Sequence, residues 1–261
     1  MNDAIDIDAI AALSAIGRPV RRKEDQRLLT GKGRFTDDFN MEGQAYAVMV
    51  RSPYPHARLL EMHMEPARRM PGVLGAFSGR DCLADGLSPI PHSPVPSTRY
   101  DLKLTGPGGG TIFIGPQPLL PVDKVRHVGE AVAMVVAETV PQALDAAETV
   151  EVEYGELPGV ASSEGALSPG APAVWDEVRD NVLVDTMFGD SEATDRAFAG
   201  ADHIVEMNLH IGRVTGVPLE PRAALGHYDP GTERYTLYAG TAGRSGKRPS
   251  PPRCWGSTPD R

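Results

Sequence analysis

Apolar positions along this chain come in short runs separated by proline and glycine, and their period changes from run to run. Residues 44–51, QAYAVMVR, predict a strand. A proline-stiffened loop, SPYPHAR, follows, and LLEMHM (59–64) predicts a second strand. EPARRM (65–70) predicts a short helical turn with Pro66 at its start, and VLGAFSG (73–79) a third strand. EAVAMVVAE (130–138) is an apolar run suited to a buried strand. PQALDAAET (141–149) predicts a helix that opens near Pro141 and carries Ala143, Leu144, Ala146 and Ala147 on one side. VEVEY (150–154) alternates as a half-exposed strand does. Residues 34–155 therefore read as one compact α+β unit.

Between these elements lies a long stretch without periodicity. Residues 84–121 hold eight prolines and the run Gly106-Pro107-Gly108-Gly109-Gly110. Loops of that length are uncommon and often carry function or contact a partner. GELPGVASSEGALSPGAPAV (155–174) reads as a linker by composition. Beyond it, NVLVDTMFGD (181–190) predicts a strand and SEATDRAFAGA (191–201) a helix, with Asp190 or Ser191 at its N-cap and Glu192 in its first turn. DHIVEMNLHIGR (202–213) predicts a further strand. AALGHYD and RYTLYAG flank PGTE, a hairpin over 223–240 turned at Asp-Pro-Gly.

Length and composition narrow the class. A chain of 261 residues suits two domains, or one and a part. With 6% aromatics, a core must rest on Val, Leu, Ile, Ala and Met, and 28 glycines with 24 prolines argue against a helical bundle. The net charge of −9 excludes nucleic acid as a partner, since phosphate binding needs a basic footprint. No apolar run approaches 18 residues, so no membrane span is expected. The acidic opening MNDAIDIDAIAALSAIG lacks a signal-peptide n-region, and the expected location is cytoplasmic. Cys82 and Cys254 form no CxxC, which excludes a disulfide framework, a structural zinc site or a Cys-ligated iron–sulfur cluster within the chain. Residues 243–261 break the pattern, with five Lys/Arg against one acid and only Cys254 and Trp255 apolar. They read as an aberrant, frameshifted end or a disordered basic tail.

No complete catalytic signature is present: GxSxG, HExxH, GxGxxG and the Walker A pattern are all missing. At Gly246-Lys247 an arginine, Arg248, stands where a P-loop needs Ser or Thr. The Gly106–Gly110 run could cradle an anion through its amides, but no helix follows it, and a flexible loop is the favoured reading. The histidines at 56, 63, 92, 127, 203, 210 and 227 never fall at i, i+4 on a helix. His203 and His210 are an odd seven residues apart on one predicted strand, so they face opposite sides. Asp37 and Asp38 read as solvated turn acids. Glu220 and Arg222, flanking Pro221, read as a local ion pair or a bend leading into a strand, with a cofactor-pocket lining as the functional alternative. Catalytic residues are therefore none, metal ligands none, and cofactor-binding residues unknown.

Seven segments nevertheless resemble one family, in its order: GRPVRRKEDQRLLTGKGRFTDDF, VRSPYPHARLL, PGVLGAFSGRD, RHVGEAVAMVVAE, ALDAAETVEVEYGELPGV, AFAGADHIVE and VPLEPRAALGHYD. The chain resembles, over about residues 16–242, the molybdenum-binding large subunit of the xanthine dehydrogenase, aldehyde oxidase and carbon monoxide dehydrogenase group, in its N-terminal portion. The resemblance implies an α+β fold. A lead-in (1–17) would precede an α/β hammerhead domain (18–160). A linker (161–179), the start of a molybdopterin-binding domain (180–242) and the aberrant or disordered tail (243–261) would follow. It implies hydroxylation of a carbon centre, or CO oxidation, at a molybdopterin-type molybdenum cofactor. Electrons would leave through a small subunit with 2Fe–2S clusters to a medium subunit with FAD. Where many members carry a Gln after the hairpin, this chain has Thr241-Ala242-Gly243. The family's glycine-rich GGGFG loop and distal catalytic Glu have no counterpart here. The resemblance thus implies a chain that is inactive and without bound cofactor on its own. A non-catalytic hammerhead module that binds a partner subunit is the alternative.

Overall fold

The computed structural model describes residues 19, 22–96, 98–212, 214–218 and 220–240. The expected lead-in, the tail with Cys254, and Thr241-Ala242-Gly243 lie outside the described residues. By contacts, the described chain divides into one unit of residues 42–212 and a second that joins 22–41 to 214–240. The stretch that reads as a linker by composition, residues 155–174, lies within the larger unit.

The larger unit is built on two antiparallel three-stranded sheets. Their strands are β1 (Tyr46–Arg51), β2 (Ala57–His63), β3 (Val73–Ser78), β4 (Lys124–Val125), β5 (Ala131–Ala137) and β6 (Glu151–Glu156). One sheet has the order β1-β5-β3 and the other β4-β2-β6. The apolar run at 131–137 becomes the centre of its sheet, with Val132, Ala133, Val135 and Ala137 all fully buried. Successive side chains of a strand face opposite ways, so β5 feeds both cores. Ala133 and Val135 join Met64, Ala67, Ala76, Ala146 and Val150, while Val132 joins Ala57 and Val125. Val50, Met62 and Val152 pack against both clusters and connect the sheets. At the outer edge of the second sheet, β6 carries Glu151, Glu153 and Glu156, charges that oppose edge-to-edge pairing.

The helices expected at 65–70 and 141–149 form, and one at 79–84 that was not expected joins them. In α4 (Val140–Glu148), the Thr139 hydroxyl accepts from the Gln142 amide, and Ala143 and Ala146 are the buried positions. The helices α2 (Glu65–Arg68) and α3 (Gly79–Ala84) bracket β3. Ser78 and Asp81 cap α3 reciprocally: the Asp81 carboxylate accepts from the Ser78 amide at 2.7 Å, and Ser78 Oγ accepts from the Asp81 amide. Burial pushes the Asp81 carboxyl up, but the Ser78 hydrogen bonds and the Arg68 guanidinium outweigh it and hold it below its ordinary value. Gly79 sits where chain segments nearly touch. A Cβ there would lie 2.5 Å from the Pro121 carbonyl oxygen and 2.6 Å from that of Leu120.

Two expected strands are not formed. Residues 181–190 are irregular, and so are residues 202–212, preceded by α5 (Ser163–Leu167) and α6 (Ser191–Ala199). The alternation at Val205, Met207, Leu209 and Ile211 is real, yet these side chains are 72–89% exposed. Alternation fixes which face a strand would bury. It does not supply the neighbouring strand whose amides and carbonyls complete the ladder, and among the described residues no backbone amide of 202–212 finds a carbonyl. The helix between them does form, because its cap is local: Asp190 Oδ1 accepts from the Ala193 amide at 2.9 Å.

The smaller unit pairs α1 (Asp25–Leu29) and a 3-10 turn at Thr36–Asp38 with the hairpin β7 (Ala224–Asp229) and β8 (Arg234–Ala239). Asp229 organises the hairpin turn, accepting from Thr232 Oγ1 and the Gly231 amide, and the Thr232 bond first holds its carboxyl below the ordinary range. Tyr228 opposes Tyr235 in the ladder with its ring tilted against it, and Tyr238 stacks on Phe39.

The close approach at Gly79 generates a prediction. Gly79→Ala should destabilise the chain by about 1–3 kcal/mol, because backbone carbonyls must move to admit the methyl group. Urea denaturation checks this, and limited proteolysis should spare 131–156 while cutting within 85–119 or 202–212.

Candidate functional site

The most densely connected polar feature of the larger unit is where residues 171–182 strap across β4. Lys124 stands in β4 with its side chain 4% exposed, and its ammonium donates to both oxygens of Asp176, at 3.0 and 2.9 Å. The Arg126 guanidinium lies 3.9 Å from the centre of the Trp175 ring, a cation–π contact. Phe113 meets the same indole edge-on, and Gly115 leaves room for it, since a Cβ there would fall 2.5 Å from Trp175 Cζ2. Asn181 ties the strap's far end. Its Oδ1 accepts from the Val174 amide, and its Nδ2 donates to the carbonyls of Ala166 and Pro172. The composition that reads as a linker is therefore an ordered cover, held by side chains from distant positions.

Charge on this face is one-sided. Arg58 and Lys124 are directly opposite in the β2–β4 pairing, a same-sign arrangement that costs stability unless offset. Asp176 supplies the offset. The hydrogen bond from Lys124, then its charge, then those of Arg58 and Arg126, hold the Asp176 carboxyl below its ordinary value. His56 lies just before Arg58 and is 6% exposed. Its Nδ1 donates to the Pro158 carbonyl at 2.8 Å, while its Nε2, like Arg126 Nε, is buried without a partner among the described residues.

The other sequence candidates resolve as follows. In the Gly106–Gly110 loop, the amides of Gly106, Gly109 and Gly110 donate to the carbonyls of Gly110, Gly106 and Pro107. Those donors are turned onto the loop itself, so it does not fit an anion or cofactor cradle. A groove of about 450 Å³ beside it is lined by Pro107, Phe113, Val178 and Leu183 among others. Another of about 410 Å³ runs between β2 and α3, but its Arg68 is spent on the Ala76 carbonyl and on Glu65 and Asp81. Asp38 caps its own turn by accepting from the Phe35 amide. Glu220 does not pair with Arg222 in the manner expected; its carboxylate accepts from the amide and hydroxyl of Thr36, both at 3.2 Å. His203 and His210 are exposed on the irregular segment. A bulge at Leu60 re-phases β2, so Glu61 opposes Glu153 with His63 beside both. His63 Nδ1 faces Glu61 at 3.8 Å and Nε2 faces Glu153 at 3.7 Å. The ring thus lies between two exposed carboxylates, each approached by a different nitrogen. The strap escaped the sequence reading. Its only signal was an indole beside a carboxylate, Trp175-Asp176, in a segment otherwise rich in Gly, Pro and Ser.

Comparison with known proteins matches the two halves separately. Residues 30–99 and 97–158 match the aldehyde oxidase and xanthine dehydrogenase a/b hammerhead domain, and residues 174–250 match the molybdopterin cofactor-binding domain. The nicotine 6-hydroxylase large subunit of Paenarthrobacter nicotinovorans is 35% identical over 87% of this chain and 26% of its own length. The carbon monoxide dehydrogenase large chain of Hydrogenophaga pseudoflava is 31% identical over 83% and 26%. The solved structure of quinoline 2-oxidoreductase from Pseudomonas putida 86 superposes with a TM-score of 0.71 at 34% identity, over 86% of this chain and 26% of that one. The chain belongs to the molybdenum-binding large-subunit family of the xanthine dehydrogenases, aldehyde oxidases and carbon monoxide dehydrogenases. It spans about a quarter of the length of the relatives it matches. Among the described residues no helix is long and apolar enough to cross a membrane.

The Lys124–Asp176 pair predicts a pH dependence. A carboxyl held below its ordinary value contributes stability at pH values above the unfolded one and loses it as pH falls through the folded value. Trp175 fluorescence should therefore report loosening of the strap on acidification below the usual carboxylate range. Asp176→Asn should flatten that transition and leave the strap looser at neutral pH.

Proposed function

We propose that this chain supplies the hammerhead domain and the opening of the cofactor-binding domain of a molybdenum-dependent hydroxylase or dehydrogenase large subunit, and that alone it is inactive. The carrying observation is that the two domain matches follow one another along a single chain. The relatives are oxidoreductase large subunits, and 33% identity extends to subunit gamma of a 6-hydroxypseudooxynicotine dehydrogenase complex. By that likeness the substrate is oxidised at a carbon centre, and the electrons pass to partner subunits that carry 2Fe–2S clusters and FAD. The molybdenum cofactor would supply the oxidation itself. The part played by these residues is structural: a two-sheet unit with its own core, and a strap that closes it.

Retention of the cofactor by this chain is not part of the proposal. A ligand of that size needs a preformed pocket that covers most of its surface, and the glycine loop, a sequence candidate for a cradle, has turned three amides inward. Purification from a host that makes the cofactor, followed by metal analysis, tests this. The expected result is molybdenum far below one equivalent. Near-stoichiometric molybdenum would overturn the reading of the chain as inactive alone. Co-expression with the remaining three-quarters of a related large subunit should yield a copurifying complex. Failure of that complex to form would favour the non-catalytic module instead.

A further inference from the structure

The cationic face of β2 and β4 holds more positive charge than the chain neutralises. Arg58, Lys124 and Arg126 all act on Asp176, and Lys124 alone is within ion-pair distance of it. Among the described residues, Arg58 makes no ion pair or hydrogen bond. Among the described residues, the Arg126 guanidinium donates one hydrogen bond, to the Lys124 carbonyl at 3.3 Å. The neighbouring Glu130 carboxylate accepts from the Arg126 backbone amide and lies 3.5 Å from His127, and no ion pair joins it to the guanidinium among the described residues. A second observation points the same way. Ala57 lies opposite Val125 and Arg58 opposite Lys124, and His56 and Arg126 flank that pairing in sequence. Among the described residues, each carries a buried side-chain nitrogen without a hydrogen-bond partner, Arg126 Nε and His56 Nε2. Buried polar groups are ordinarily satisfied, and same-sign residues directly opposite are ordinarily selected against. Here both exceptions fall on one patch.

We propose that this face is a carboxylate-binding seat, in which Arg58 and Arg126 receive a carboxylate from outside the chain beside the Lys124–Asp176 pair. The class of ligand follows from Asp176, which already presents a carboxylate here with both oxygens on one ammonium. Guanidinium groups suit that shape, since their N–H forks match two carboxylate oxygens. Arg58 is exposed and Asp176 is 79% exposed, so the seat opens to solvent. A free dicarboxylic acid and an acidic polypeptide segment both present that group, and both are bound by the same contacts.

The test is a titration of the full chain with succinate and, separately, with a hexaglutamate peptide. It reads Trp175 fluorescence and the arginine side-chain N–H signals in NMR at an ionic strength held constant with chloride. The expected result is saturable binding that shifts the Arg126 Nε–H signal. Arg58→Ala should weaken it about tenfold or more, the loss of one charge-assisted contact, with the fold retained, since among the described residues Arg58 makes no hydrogen bond or ion pair. Asp176→Asn leaves Lys124 short of a counter-charge, so added succinate should raise its melting temperature more than that of the native chain. Preference for succinate marks a small-molecule seat, and preference for the peptide marks a partner-docking seat. Binding that chloride reproduces, no saturation with either probe, or affinity unchanged in Arg58→Ala would each overturn the proposal.

Discussion

The larger unit depends on one strand that is buried on both faces. β5 sits between β1 and β3 and sends Ala133 and Val135 into one core and Val132 into the other. Such a strand has no polar face to spare, so its sequence must be apolar throughout. AVAMVVA is that sequence, and every neighbouring choice adapts to it. α4 approaches with Ala143 and Ala146, small enough to sit close against the sheet, and β3 contributes Ala76 and Gly75 beside the same strand. A core made of Ala and Val is thin per residue. Its contribution comes from close approach, because dispersion fades within an ångström of added gap.

Around this core, the polar chemistry is spent on closure. Caps on α3, α4 and α6, the inward-turned amides of the glycine loop, and Asn181 under the strap each satisfy backbone groups that water would otherwise have to reach. The face of β2 and β4 is the exception, with three cations against one carboxylate. Its asymmetry separates a surface built for contact from the rest of a polar network built for order.

Family membership and cofactor chemistry live on different scales in this protein. Membership is carried by the hammerhead and the first stretch of the cofactor-binding domain. These are packing features, spread over most of the chain and readable as blocks such as RHVGEAVAMVVAE. Chemistry at a molybdenum centre needs donors that converge from several loops, and convergence is a property of tertiary structure.

By itself the sequence determined the elements whose causes are local. The strands at 46–51, 73–78 and 131–137, the helices capped by Thr139 and Asp190, and the hairpin turned by Asp229 all follow from side chains within a few positions of the backbone they order. Tertiary structure decided the rest. Val205, Met207, Leu209 and Ile211 alternate as well as any strand in the chain, but their segment has no ladder partner among the described residues, so it is not a strand. Residues 171–178 look like linker, but Lys124 and Arg126, some fifty positions earlier, hold Asp176 and Trp175 and make them a cover. Glu220 sits beside Arg222 in sequence and bonds instead to Thr36. In each case the deciding group is far along the chain, where no local pattern can register it.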